Sequence, residues 1–157
     1  MKPENSTRKT TPIRQKAIEG IVAGDCFRVT RTFYETEVAA FSDISGDFNP
    51  VHFDDRFARA RGFSGRICHG LLVGGLLTEI GGQIGWLATR MDFQFKKPVY
   101  FGDTVTCDLV IARVGDNGCA EADAVFTDQT GRVVIEGRLS GFLPGPEQRQ
   151  IMEEMGI

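Results

Sequence analysis

Histidine is scarce in this chain of 157 residues, which has two of them, one tryptophan, two tyrosines and four cysteines. His52 and His69 stand far apart, and the chain has no His-x-x-x-His or Cys-x-x-Cys pair, so the spacing offers no recognisable zinc site. Neither standard glycine-rich phosphate loop is present. Gly62-Phe63-Ser64-Gly65 lacks the glycine spacing of a nucleophile elbow. Cys68 and His69 are neighbours, which at a helix start do not face each other, so no activated nucleophile can be read. The four cysteines have no paired spacing and read as reduced thiols of a cytoplasmic protein. The first residues contain no apolar h-region, so no secretory signal is expected. One apolar stretch, from His69 to about Gly85, approaches the length of a membrane span. Glu79 and Gln83 interrupt it, so it reads as a buried core helix, and no membrane partner is expected.

Net charge is also small, and it is unevenly spread. The net charge is −3, but the first sixteen residues carry +4 and leave −7 on the rest. An acidic body argues against broad nucleic-acid binding. Residues 1–17 are basic, rich in Ser, Thr and Pro, and expected to be a flexible tail. A single domain is expected over 18–143, with 144–157 as a C-terminal tail that frays or forms a short helix after Pro144-Gly145-Pro146. The length suits one domain with a proper core.

What the chain does have is Asp47-Phe48-Asn49-Pro50-Val51-His52. Pro50 fixes its own φ and pushes Asn49 out of the helical region, so the segment cannot continue as a helix. Asp47 and His52 can then converge on one point. A carboxylate and an imidazole held together supply a proton acceptor and a proton donor near neutral pH. Alone, the two residues would more simply be a turn cap and a structural histidine. The segment Arg66-Ile67-Cys68-His69-Gly70-Leu71-Leu72 shifts that balance. A helix beginning at Gly70 would offer free N–H groups and a positive dipole end to a developing oxyanion. Acid–base chemistry with no bound cofactor or metal fits best.

The remainder reads as an α+β layer structure. Cys26–Thr32 is a first strand. Thr36 can cap a helix that carries Val38, Phe41 and Ile44 on one face and ends at Gly46. Asp54–Arg61 is a short charged helix. The long helix includes Gly74, Gly75, Gly81 and Gly82, each costing about 1 kcal/mol in helix propensity relative to alanine. That cost suggests another backbone packed close against it. Four segments then alternate with period two: Phe93/Phe95, Val105–Ile111, Ala120–Phe126 and Val133–Leu139. Gly115–Gly118 and Asp128–Gly131 are hairpin turns.

The two motifs, Asp-Phe-Asn-Pro-Val-His and Ile-Cys-His-Gly-Leu-Leu, together resemble those of the MaoC-like dehydratases and (R)-specific enoyl-CoA hydratases of the hotdog fold. The resemblance runs from about Gly24 to Leu143. It implies an antiparallel sheet wrapped around a long central helix, and a homodimer or dimer-based oligomer whose edge strands join. It implies that Asp47 and His52 are the catalytic pair on a water and that the Gly70 N–H polarises the thioester carbonyl. Asn49 would support the loop at the substrate, and His69 would hold the segment before the helix. Thr78 and Gly81, with Gly82, would line the acyl pocket. Cys68 departs from the small apolar residue expected there, and Trp86–Arg90 looks short for a hydratase, which bears on acyl length. The substrate would be an acyl-CoA or acyl-carrier-protein thioester. Arg59, Arg61, Arg66, Lys96 and Lys97 are the candidates for its phosphate. The expected activity is reversible hydration of trans-2-enoyl thioesters. The alternatives are dehydration of 3-hydroxyacyl groups on carrier protein, a non-catalytic thioester binder, or a thioesterase, which would not need the Asn-Pro-x-His turn.

Overall fold

Alternation of apolar and polar residues makes five strands, and in four of them one face is buried. The computed structural model describes residues 10–156, and the first part of the expected basic tail lies outside the described residues. The strands are β1 (Cys26–Thr32), β2 (Leu87–Phe95), β3 (Thr104–Val114), β4 (Cys119–Thr127) and β5 (Val133–Phe142). They form one antiparallel sheet in the order β1-β3-β4-β5-β2. Inward residues Val105, Cys107 and Leu109 of β3 and Ala120, Ala122 and Phe126 of β4 are buried. The small β4 alanines leave room for a helix on the sheet's inner face. On the outer face, register partners of opposite charge pair across strands: Arg28 with Asp108, Arg113 with Glu121, and Arg138 with Asp123. Such exposed pairs add little stability, but they keep that face solvated.

The helix occupying the concave face is α4 (Gly70–Gly74) followed by α5 (Leu76–Ile84). It is two segments where the sequence suggests one. At Gly75 a Cβ would lie 2.9 Å from the carbonyl oxygen of Leu72, so the turn there is too tight for a side chain. Leu76, Leu77, Ile80 and Ile84 are buried against the sheet. The expected close packing of another backbone on these glycines is not what the structure shows. A Cβ at Gly74 would meet the Phe93 ring, whereas one at Gly81 or Gly82 would find nothing within 4 Å. Only Gly85 and Trp86 separate α5 from β2. The segment that looked like a short loop, Trp86–Arg90, is therefore mostly strand, with a bulge between Ala88 and Arg90. Gly141 of β5 accommodates that bulge, since a Cβ there would fall 2.1 Å from the Leu87 oxygen.

The chain ends are more ordered than composition suggests. Thr11 caps α1 (Pro12–Glu19) by accepting the Arg14 N–H, and Pro12 stands at the first turn. Ala17 is fully buried in the core, so the boundary expected between residues 17 and 18 cuts through this helix. The C-terminal segment forms α6 (Pro146–Met155), whose Met152 reaches the same core. Arg149 of α6 donates to the Glu19 carbonyl at 3.1 Å and closes the end of α1. α2 (Glu35–Ser45) begins after Tyr34, whose N–H donates to the Glu37 carboxylate at 2.9 Å. Thr36 is therefore inside the helix and does not cap it. Its buried face carries Val38 and Ser42, and Ile44 is 86% exposed, contrary to its expected place on the inner face.

Candidate active site

Gly46 ends α2 in a left-handed conformation, φ 76°, and donates to the Ser42 carbonyl at 2.8 Å. This cap redirects the chain and delivers Asp47 over the open end of the sheet. Asp47 Oδ1 then accepts the Asn49 N–H at 3.1 Å, and Asn49 Oδ1 accepts the Val51 N–H at 3.2 Å. Two successive side-chain turns thus lead into a 3₁₀ turn, Pro50–His52, with proline at its first position. Asn49 spends its side chain on this turn and does not line the cavity. α3 (Asp55–Ala60) follows, capped by Asp54.

His52 is 6% exposed, and its Nδ1 lies 2.7 Å from the Ile67 carbonyl. A carbonyl only accepts, so Nδ1 bears the proton and the neutral ring presents a bare Nε2. That Nε2 stands 3.9 Å from Asp47 Oδ2, too long for a direct hydrogen bond and suited to a shared water. Burial lowers the His52 pKa below the ordinary histidine value. Adjacent His69 adds to the effect, while the Ile67 carbonyl and Asp47 oppose it. With its proton on Nδ1, His52 presents Nε2 as a hydrogen-bond acceptor toward Asp47. Ile67 itself is fixed by a bridge to Tyr100 and by its N–H to the Val51 carbonyl.

The ring of His69 lies on that of His52, with centroids 3.7 Å apart. Its Nε2 is 3.0 Å from the Asp47 carbonyl and 3.1 Å from Ser42 Oγ. Gly70 opens α4, so its N–H lies outside the helical ladder. A Cβ at Gly70 would come within 2.6 Å of the Phe95 ring, so the approach of β2 itself calls for a glycine. The cavity of about 580 Å³ joins Asp47, His52, His69 and Gly70 with Phe41, Phe63, Phe95 and Lys97. Thr78 and Gly81 are not brought to it. They line a second cavity of about 240 Å³ with Trp86, Leu87 and Met91.

Burial pushes the Cys68 thiol up to about 12, which removes it as a nucleophile. Asp47, His52 and His69 do place three donor atoms within 4.8 Å of one another, a cluster that sequence spacing could not reveal. Donors sharing one zinc at its usual bond lengths lie about 3.3 Å apart. Here His52 Nε2 and His69 Nε2 stand 3.9 and 4.0 Å from Asp47 Oδ2, and His69 Nε2 is already engaged by a carbonyl. Among the phosphate candidates, Arg66 is held by Glu35 and stacks on Phe101, and Lys96 pairs with Glu136 at 2.9 Å. Lys97 has no ion-pair partner among the described residues. Ser42, Phe63 and Phe95 were not singled out from sequence. Only Ser42 gave a readable signal, one turn after Val38 on the same buried face.

Residues 23–130 match the family model described as MaoC like domain. The chain is 33% identical over 131 residues to the (R)-specific enoyl-CoA hydratase of Aeromonas caviae, covering 80% of this chain and 98% of that protein. It is 31% identical over 133 residues to a mitochondrial 3-hydroxyacyl-[acyl-carrier-protein] dehydratase of Arabidopsis thaliana, covering 81% and 80%. The solved (R)-hydratase of A. caviae superposes with a TM-score of 0.74 at 31% identity, over 80% of this chain and 99% of that one.

Proposed function

Because the chain belongs to the MaoC-like domain family and has its hotdog fold, we propose that it is an (R)-specific enoyl-CoA hydratase. This is a hydro-lyase that reversibly adds water to trans-2-enoyl thioesters. The observation that carries the reading is the facing of Asp47 Oδ2 and the bare Nε2 of His52 across a 3.9 Å gap. A water in that gap donates to both. As its oxygen adds to the β-carbon, His52 Nε2 takes one proton and Asp47 steadies the imidazolium. The thioester oxygen gains enolate character and is met by the Gly70 N–H. The pair then returns the proton to the α-carbon, and both groups recover their starting states. The reverse course dehydrates a 3-hydroxyacyl thioester, the reaction in the name of the Arabidopsis relative.

Lys97 lines the cavity and, having no ion-pair partner among the described residues, is the cation we assign to the carrier's phosphate. No helix among the described residues is long and apolar enough to cross a membrane, and four free cysteines fit a cytoplasmic setting. β2 pairs on one side only, with Leu87, Met91 and Phe95 exposed, and a second copy would cover that edge. Antiparallel pairing of two such edges would bring the Phe95 end of one protomer toward the Leu87 end of the other. The second cavity, with Thr78 and Gly81, would then extend the neighbouring protomer's site and receive the acyl chain. The deciding experiment is hydration of crotonyl-CoA, with the product resolved by chirality. The (R)-3-hydroxy product is expected, and failure to hydrate or dehydrate either CoA or carrier-protein thioesters would overturn the reading.

A further inference from the structure

The polar groups behind the Asp47–His52 pair are as buried as the hydrophobic core. Ser42 is 0% exposed and His69 2%, and they meet at 3.1 Å under the loop that carries Asp47. The Asp47 carbonyl, 3.0 Å from His69 Nε2, can only accept, so Nε2 bears the proton of the neutral ring. Ser42 Oγ lies on the same nitrogen and shares that N–H. His69 Nδ1 is left without a partner and is also buried. The two stacked imidazoles therefore carry their protons on opposite nitrogens. His52 is protonated at Nδ1 toward Ile67, and His69 at Nε2 toward Asp47 and Ser42. Phe41 packs on the His69 ring at 4.9 Å, and the stack with His52 covers one face of the base at 3.7 Å.

We propose that Ser42 and His69 form a buried positioning pair that fixes the Asp47 loop and holds His52 with its bare Nε2 facing the carboxylate. Neither residue reaches the reacting atoms. Ser42 fixes the rotation of the His69 ring, and that ring in turn sets the carbonyl of Asp47 and the plane of His52. His69 is thereby a positioning residue instead of a contact to substrate. The role rests on the hydratase reading for its catalytic consequence but not for its geometry.

The test uses the untagged full chain, in which only two imidazoles exist to be observed by nitrogen NMR. Opposite tautomers are expected, Nδ1–H for one ring and Nε2–H for the other, and His69→Gln identifies the remaining ring as His52. Ser42→Ala keeps a good helix former in α2 and deletes only the hydroxyl, so the fold should persist. It should lower kcat for crotonyl-CoA about tenfold, the scale of one hydrogen bond, with KM within twofold and the His69 nitrogen signals displaced. A purely structural serine would lower stability and leave kcat and both rings unchanged. The same tautomer on both rings, or a folded Ser42→Ala with unaltered kcat and ring signals, would overturn the proposal. A wild-type chain inactive on every thioester would instead refute the hydratase reading, while the NMR result still judges the pair.

Discussion

Two cavities lie along the same central helix, and they differ in kind. The one at the start of α4 is about 580 Å³ and gathers two imidazoles, a carboxylate and a free helix N–H. The one beside α5 is about 240 Å³ and is lined by Leu77, Thr78, Gly81, Trp86, Met91 and Leu139. In the first, both imidazoles are held by backbone carbonyls, His52 through Nδ1 and His69 through Nε2. In the second the glycines face empty space. The contrast separates chemistry from room: one end fixes a reaction geometry and the other accepts apolar volume.

The sharpest way to break that division is to disable the chemical end. Asp47→Asn and His52→Gln should each lower kcat by roughly 100-fold or more, the usual scale of general acid–base help. The double variant should be little worse than the poorer single, because the two act on one water. Asp47 is 49% exposed at its side chain, so Asp47→Asn should leave thermal stability nearly unchanged. Near-normal hydration of crotonyl-CoA by Asp47→Asn would end the hydratase reading.

Gly70→Pro removes the N–H that opens α4 while keeping a residue tolerated at the first helical position. Any Cβ there strikes the Phe95 ring, so the measurement belongs in a Phe95→Ala background. Relative to Phe95→Ala, kcat should fall about 100-fold, the lower range for losing one oxyanion donor. A folded double variant as active as Phe95→Ala would assign the glycine to packing alone.

The acid side of the pH profile tests the state of His52. Burial lowers its pKa, so the acceptor form persists below the ordinary histidine value and is lost only as pH falls through the lowered one. The acid limb of kcat/KM should therefore lie below about 6.5. Between that value and the lowered pKa the unfolded chain binds a proton the folded chain does not. Stability should fall as the pH is lowered across the same window and then level off. An acid limb above 6.5 would mean that the ring is not held neutral by its surroundings.

Much of the chemical end was legible in sequence because its constraints are local. Pro50 forbids a helix, Gly46 ends one, and the distance from Asp47 to His52 is spanned by two side-chain turns. Four strands were legible because apolar and polar residues alternate along them, whether the apolar face is buried, as in β3, β4 and β5, or left exposed, as in β2. The other features depend on contacts between distant segments. Phe95 reaches Gly70 only once β2 has paired with β5, and Ser42 meets His69 only after α2 has docked. The break at Gly75 arises from the helix's own carbonyls, which no apolar pattern records. α1 was missed although Thr11-Pro12 is a helix start, because the basic composition before it suggested a tail. The resemblance placed Thr78 and Gly81 in the acyl pocket, yet within one chain they open onto a separate cavity.

The apolar end yields the smallest and most selective effect. A side chain at Gly81 would extend from a Cβ with nothing within 4 Å, so Gly81→Leu adds volume without a clash. It also removes a glycine from a helix interior, worth about 1 kcal/mol, so the melting temperature should hold or rise. If the second cavity receives the acyl chain of a neighbouring protomer's substrate, leucine there shortens the chain that fits. Crotonyl-CoA would stop short of it and be hydrated nearly as before. A long enoyl chain would lose roughly tenfold in kcat/KM, the scale of a mismatch of about one methylene in an apolar pocket. The dimer required by this arrangement is checked by light scattering at assay concentration, where a fully active monomer would remove the shared pocket. Equal slowing of short and long chains would show that Gly81 serves helix packing, and the contrast between the two cavities would then lose its functional meaning.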